Sequence, residues 1–398
     1  MARSTQKMEA MTAALRLQPE LIATRRDIHA NPELGFEERR TSGLVQDRLK
    51  SLGLKPRVMA TTGVAAMVPG KGPGRVVMVR CDMDALPIQE ETAYDYRSKV
   101  AGKMHACGHD LHTSILLGTA RLLCEKPPEK GAVKLNFQPA EEGLDGAGAM
   151  IQAGIMERPK VDAALGFHIW QGMPVGKVGV VTGPAMAAVD KFTIRIHGVG
   201  GHAAYPHKAV DPILIASQVV NALQSIVSRN MNPLDSVVVT VASFHGGTAF
   251  NIIPPTVEMT GTVRTFSKAA RKDVPKRMDA IVRQVTSAMG GRGELDYVRE
   301  HPAVVNDAKL ATFMRSVAAD VVGKSNVIEA EPSMGGEDMS LYQEMVPGCY
   351  IFVGSAPKGP VFPHHHPKFN PEESVMPVAA AIMAEASRRW LDGPPVSD

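Results

Sequence analysis

From about Val189 to residue 300 the chain reads strand, helix, strand, strand, helix, strand, and that block constrains the fold more than any other feature. FTIRIHG alternates apolar and polar side chains as a half-exposed strand does, and residues 211–229 carry an amphipathic helical pattern. SVVVTVASFHGG and TVEMTGTVRTF are two further strands, 271–289 is a second helix, and ELDYVRE closes the unit. This is the ferredoxin-like order, in which helices cover one face of the sheet only. A unit of that kind has its own core, so the pattern predicts a small α+β domain inserted at 188–300.

Either side of it the rhythm is different. Residues 8–30 and 38–52 have helical spacing, and Gly53 stands where a C-cap would. Two β-rich runs, 64–68 and 76–79, are separated by PGKGPG, which predicts a hairpin. A polar loop bearing histidines follows from 90 to 110, then a small-residue helix (114–124) and the strands VKLNFQ (133–138) and DAALGFHI (162–169). The apolar run CYIFVG falls in the last hundred residues. Strands alternating with helices predict an α/β sandwich with a mainly parallel sheet. The larger domain is therefore discontinuous, 1–187 and 301–398.

Composition narrows the function classes. Lys and Arg number 44 against 41 Asp and Glu in 398 residues, a net charge of +3, too balanced for a protein that binds nucleic acid by neutralising phosphates. Four cysteines are too few for a disulfide scaffold of this size and point to a reducing compartment. The N-terminal stretch is broken by charges and lacks the apolar core of a secretion signal, and no window reaches the ~20 apolar residues of a membrane span. A cytoplasmic location is the expectation. Thirteen histidines against two tryptophans make the imidazoles the informative side chains.

Residues 105–110, HACGHD, place a thiol and an imidazole two residues apart with Gly108 between them, so Cys107 and His109 can reach one metal ion from a loop. An isolated pair of this kind is more often a buried Cys beside ordinary histidines. QPAEEG, at the end of a predicted strand, adds adjacent carboxylates on irregular backbone, Glu141 and Glu142. His168 ends the buried run GFH, and either a core imidazole or a ligand fits there. His364, His365 and His366 precede Pro367, and Asp82 and Asp84 follow the strand RVVMVRC. Cys107, His109, Glu142, His168 and one of the C-terminal histidines would supply a two-metal site, with a carboxylate left over for proton transfer. Thiolate and imidazole donors suit Zn²⁺, Co²⁺, Ni²⁺ or Mn²⁺ over Mg²⁺. In the insert, GGHAAYPH (200–207), NIIP (251–254) and GTVR (261–264) are further candidates. Gly198, Gly200 and Ala203 formally match a dinucleotide-binding fingerprint, but the acidic residue expected about 20 positions on is absent and Pro206 and Pro212 spoil the helix start.

Ten motifs in order, from RRDIHANPELGFEE and RCDMDALPI through HACGHD, QPAEEG, GFHIW, GVGGHAAYPH, NIIP, GTVRTF and GGEDMS to HHHPKFN, make the chain similar to the aminoacylase and carboxypeptidase G metallopeptidases. It most resembles their amidohydrolase branch, with hippurate hydrolases, N-acyl-amino-acid amidohydrolases and auxin-conjugate hydrolases. The resemblance implies a phosphorylase/hydrolase-like catalytic domain with an inserted lid or dimerisation domain, and two divalent ions per subunit. It implies Cys107, His109, Glu142, His168 and His365 as ligands, with His366 the alternative last one, and Glu141 as general acid/base. His202 would stabilise the oxyanion, Asn251 and Arg264 would hold the substrate carboxylate, and Asp84 would orient a ligand. The implied reaction is hydrolysis of N-acyl amino acids by a homodimer or higher oligomer with a small-molecule substrate. A carboxypeptidase or dipeptidase of the same family, or an idle binding homologue, are the rival readings.

Overall fold

The structure, a computed structural model, describes residues 2–393. They divide into two compact units, 2–185 with 305–331 and 338–393, and 186–304 with 332–337. The segment 332–337 goes with the second unit because the Ala187 N–H donates to the carbonyls of Ser333 and Gly335, both at 3.0 Å.

The first unit is built on an eight-stranded sheet in the order Arg57–Met59, Gly63–Pro69, Ala132–Gln138, Val76–Asp82, Ala163–Pro174, Gly348–Ala356, Val178–Gly179, Val327–Ile328. Its centre is parallel: Val76–Asp82 pairs with Ala132–Gln138 and Ala163–Pro174, and the latter pairs with Gly348–Ala356. Every residue of Val76–Asp82 is buried, as a central strand requires when both faces are covered. Helices His109–Glu125 and Val375–Asp392 supply much of the covering core, through Leu111, Ile115 and Leu116 on one and Ile382, Met383 and Trp390 on the other.

Two local expectations are corrected. PGKGPG does not close a hairpin: Gly63–Pro69 and Val76–Asp82 both pair with Ala132–Gln138, which lies between them. The loop therefore steps over a third strand, and Gly70 N–H donates to Gly131 O at 2.8 Å where that strand begins. The helix expected over 8–30 is two helices, Ala2–Arg16 and Gln18–His29, and Pro19, which has no N–H to offer, takes the first turn of the second.

The second unit carries a four-stranded antiparallel sheet in the order Val237–His245, Thr256–Thr265, Ala188–His197, Arg292–Arg299. Numbered along this unit the order is 2-3-1-4, the ferredoxin-like arrangement read from the sequence. Phe192, Ile194 and Ile196 alternate onto one face and meet Ile215, Val219 and Leu223 of helix Pro212–Ser225 and Val274, Met278 and Val282 of helix Lys268–Ala288. Asp211 and Ser267 cap those helices by accepting the N–H groups of Ile213 (2.9 Å) and Ala270 (3.0 Å). A short ribbon, Gly201–His202 against Ile252–Ile253, stands apart from this sheet.

Candidate metal centre

The site forms where the central parallel strands end, the usual place for functional groups in such sheets. Val76–Asp82 delivers Asp82 and then Asp84, and Ala132–Gln138 runs out into Glu141 and Glu142. Ala163–Pro174 is longer than its neighbour. Its pairing with Val76–Asp82 ends at Arg80 opposite Gly166, so His168 lies within the strand and not at its end. The histidine loop stops at Gly108, and the helix that was expected from residue 114 begins at His109. Gly108 has φ 97°, and a Cβ there would lie 2.4 Å from Ile169 Cδ1, so only glycine lets the loop turn into the helix this close to the strand.

Donor atoms of Cys107, His109 and His168 lie within 4.8 Å of one another, and so do those of Cys107, Glu142 and His365. The sulfur is common to both sets. Cys107 Sγ is 3.5 Å from His168 Nε2, and His365 Nε2 is 3.1 Å from Glu142 Oε1. The Glu141 carboxylate lies within 4.8 Å of the donor atoms of His109 and Glu142. Of the three consecutive histidines, His365 reaches this cluster. His364 donates from Nε2 to Ile169 O at 3.1 Å, and His366 stacks on Phe362 and accepts the Lys368 N–H.

Hydrogen bonds decide which nitrogen each ring offers. His168 Nδ1 donates to Ile169 O at 2.5 Å, which leaves Nε2 bare and facing the sulfur. His109 Nδ1 donates to Asp84 Oδ1 at 3.2 Å, and its Nε2 is buried with no hydrogen-bond partner. His112, which the motif reading passed over, has both nitrogens spent: Nδ1 donates to Asp82 Oδ1 at 2.6 Å and Nε2 accepts the Ile169 N–H at 3.0 Å. The other Asp82 oxygen accepts from Arg80 at 2.6 Å, and the donor atoms of Asp82, His109 and His112 form a further buried group within 4.8 Å of one another. The signal for His112 was its spacing of three from His109 on one helix face.

The electrostatics ask for positive charge. Burial opposes protonation of His109, yet the carboxylates of Asp82 and Asp84 outweigh it and hold the ring up at about 10. Burial, then the carboxylates of Glu142 and Glu141, push the Cys107 thiol well above its ordinary value. Burial and the neighbouring rings of His112 and His364 keep His168 neutral, well below its ordinary value. A buried orphan nitrogen, a neutral imidazole and a thiol that ionises only beside a cation are donors matched to divalent metal ions of borderline softness.

Glu38 stands behind the Glu141–Glu142 turn and is wholly buried. Thr62 Oγ1 donates to its Oε2 at 2.5 Å and Ala140 N–H to its Oε1 at 2.9 Å, but burial dominates and pushes the carboxyl up to about 7. An unfolded chain releases that proton near its ordinary pKa of about 4.3, so between there and pH 7 the folded state binds more protons. The resulting stabilisation is complete below the window and is lost as pH rises through it, about 4 kcal/mol in all. Urea denaturation of wild type and Glu38→Gln across pH 4–8 measures this: the difference in slope belongs to Glu38, and parallel curves would refute the assignment.

In the second unit, His202 is exposed and its Nδ1 accepts the Ala204 N–H at 3.1 Å, which places its proton on Nε2. Asn251 is on the facing arm of the ribbon, its carbonyl accepting Ala203 N–H at 3.0 Å. Arg264 is half-buried, donates to Thr262 Oγ1 at 3.1 Å, and has no carboxylate partner among the described residues.

Residues 78–389 match peptidase family M20/M25/M40. The chain belongs to this family. It is 43% identical over 379 residues to the IAA-amino acid hydrolase ILR1-like 4 of Arabidopsis thaliana, covering 93% of this chain and 86% of that protein. It is 42% identical over 378 residues to an N-acetyl-L-cysteine deacetylase of Bacillus subtilis (strain 168), covering 94% and 89%. Among solved structures it superimposes on the Bacillus subtilis YXEP protein, a dinuclear metal binding peptidase from the M20 family, with a TM-score of 0.82 and 36% identity over 95% of this chain and 99% of that one. Donor architecture and family together make this M20 member a metal-dependent amidohydrolase with a binuclear metal-binding site. Among the described residues no helix is long and apolar enough to cross a membrane.

Proposed function

We propose that the chain hydrolyses the amide bond of N-acyl amino acids of the N-acetyl or N-benzoyl type, releasing a carboxylic acid and a free amino acid. The observation that carries this reading is one sulfur, Cys107, common to two donor sets with the Glu141 carboxylate beside them. Cys107, His109 and His168 would hold one divalent ion, and Cys107, Glu142 and His365 a second. Zn²⁺, Mn²⁺, Co²⁺ and Ni²⁺ are the ions such donors favour. Ions of this kind, when bound, lower the pKa of water and polarise a carbonyl.

The chain's own residues supply the rest. Glu141 takes the proton from the attacking water and gives it to the departing amine. His202 offers Nε2–H to the developing oxyanion, the tautomer its Ala204 contact selects. Arg264, which feels the charges of Glu300 and Asp190 but makes no ion pair among the described residues, binds the α-carboxylate of the amino-acid portion, with Asn251 as a second donor. In this reading the first unit is the catalytic domain and the second a lid and dimerisation domain of a cytoplasmic homodimer or higher oligomer.

A panel of N-acetyl-L-methionine, hippurate and two dipeptides, assayed after reconstitution with each of the four metals, tests the assignment. The acyl amino acids should give kcat/KM at least about tenfold above the dipeptides, the scale of one or two lost substrate contacts. Preference for dipeptides would make the chain a peptidase of the family, and no turnover of any member would make it a binding protein.

A further inference from the structure

The site leaves the motif at 31–38, NPELGFEE, without a chemical role, although its last residue is a buried carboxylate with no ion pair among the described residues. Its contacts lead to the proton carrier. Ala140, immediately before Glu141, has φ 55°, a left-handed conformation that a residue with a Cβ adopts only when its surroundings hold it there. Three successive N–H groups emerge from this elbow, and each meets a carboxylate oxygen. Ala140 donates to Glu38 Oε1 at 2.9 Å, Glu141 to Asp84 Oδ1 at 3.0 Å and Glu142 to Asp84 Oδ2 at 2.9 Å. The Ala140 carbonyl is held from the other side, accepting Gly146 N–H at 3.0 Å. Gly35, in the same motif as Glu38, has no side chain to obstruct the elbow: a Cβ there would come within 3.0 Å of Ala140 Cα and 2.8 Å of Leu144 Cδ1. Thr62 fixes the remaining oxygen of Glu38.

We infer that Glu38 is a positioning residue, which accepts the Ala140 N–H and thereby sets the direction in which Glu141 and Glu142 leave the strand. This rests on Glu141 as the proton carrier. The acceptor is what matters, not the charge. A neutral Gln at 38 keeps a carbonyl for Ala140 and offers an amide N–H to the Thr62 hydroxyl, so it preserves the clamp, whereas an apolar side chain of equal length leaves the Ala140 N–H buried and unpaired.

The test compares Glu38→Gln with Glu38→Met, which keeps length and volume. Hydrogen exchange at the amides of residues 140–142 in metal-free protein reads the clamp directly, and kcat and KM for N-acetyl-L-methionine in metal-loaded protein read its consequence. Glu38→Gln should keep amide protection and stay within about threefold of wild-type kcat. Glu38→Met should lose protection at Ala140 and lower kcat about 100-fold with KM little changed, the cost expected of a misplaced reacting group. Loss of protection and rate in Glu38→Gln as well would overturn the inference, since charge would then be what counts. A folded Glu38→Met with wild-type exchange and rate would overturn it too. Should Glu38→Met not fold, the Gln variant still decides. Failure of the underlying reading is separable, because it would show as turnover by Glu141→Gln while the exchange results stood unchanged.

Discussion

Glu141→Gln should retain its full complement of metal while kcat falls by about 10³-fold, the scale of a lost general acid/base. The amide keeps the size and the hydrogen-bonding shape of the side chain but can neither take nor return a proton near neutral pH. Glu142→Gln should behave in the opposite sense. That carboxylate lies in the donor set with Cys107 and His365, so its loss should appear first as metal loss, with activity following. Metal analysis of the dialysed proteins beside their steady-state rates separates the two. A metal-depleted Glu141→Gln would mean that the adjacent glutamates have exchanged roles, and an active one would place the base elsewhere.

The second large effect is expected at the shared sulfur. Cys107→Ser should cost both ions, because the sulfur is common to the two donor sets, whereas His365→Ala should cost only one and leave Cys107, His109 and His168 together. A serine hydroxyl stays protonated at neutral pH and is a poor partner for a borderline-soft ion. The affinity lost should therefore exceed the roughly 10–100-fold typical of removing a group that merely orients a ligand. Titration of metal-free protein with Zn²⁺, followed by calorimetry, gives stoichiometry and affinity in one experiment. Burial and nearby carboxylates hold the thiol protonated without metal, so the ion that first engages the sulfur should release its one proton, and the enthalpy of that event should vary with the ionisation enthalpy of the buffer. Loss of a single ion in Cys107→Ser would show that the sulfur serves one position only.

Much of this was legible in the chain. Strands announce themselves through continuous apolar runs, and the places where those runs stop at Asp82 and Gln138 are where the chemistry collects. The ferredoxin-like block was readable because its strands alternate apolar and polar side chains and its helices carry one apolar stripe, local patterns that survive although Ala188–His197 pairs with the later strands Thr256–Thr265 and Arg292–Arg299. What escaped depends on pairing between distant segments. PGKGPG has hairpin composition, but Ala132–Gln138 enters between the two flanking strands, and no local signal reports that. His168 read as the end of a strand because GFHI looks like one, while the partner Gly348–Ala356, contributed from far along the sequence, extends it to Pro174. His112 and Glu38 lie outside the two donor sets that share Cys107. They act through hydrogen bonds to Asp82, Ile169 and Ala140; the spacing of His112 from His109 hints at the first two, but nothing in the spacing of Glu38 points to Ala140.

Asp84 holds the His109 ring and the amides of both glutamates with one side chain. The orientation of the His109 ring and that of the Glu141–Glu142 turn are thus not set independently. In the proposed reading His109 binds an ion and Glu141 carries the proton, and Asp84 then couples the two, since one carboxylate orients the ring and anchors the turn. On that reading a change at this aspartate should disturb ion capture and proton delivery together.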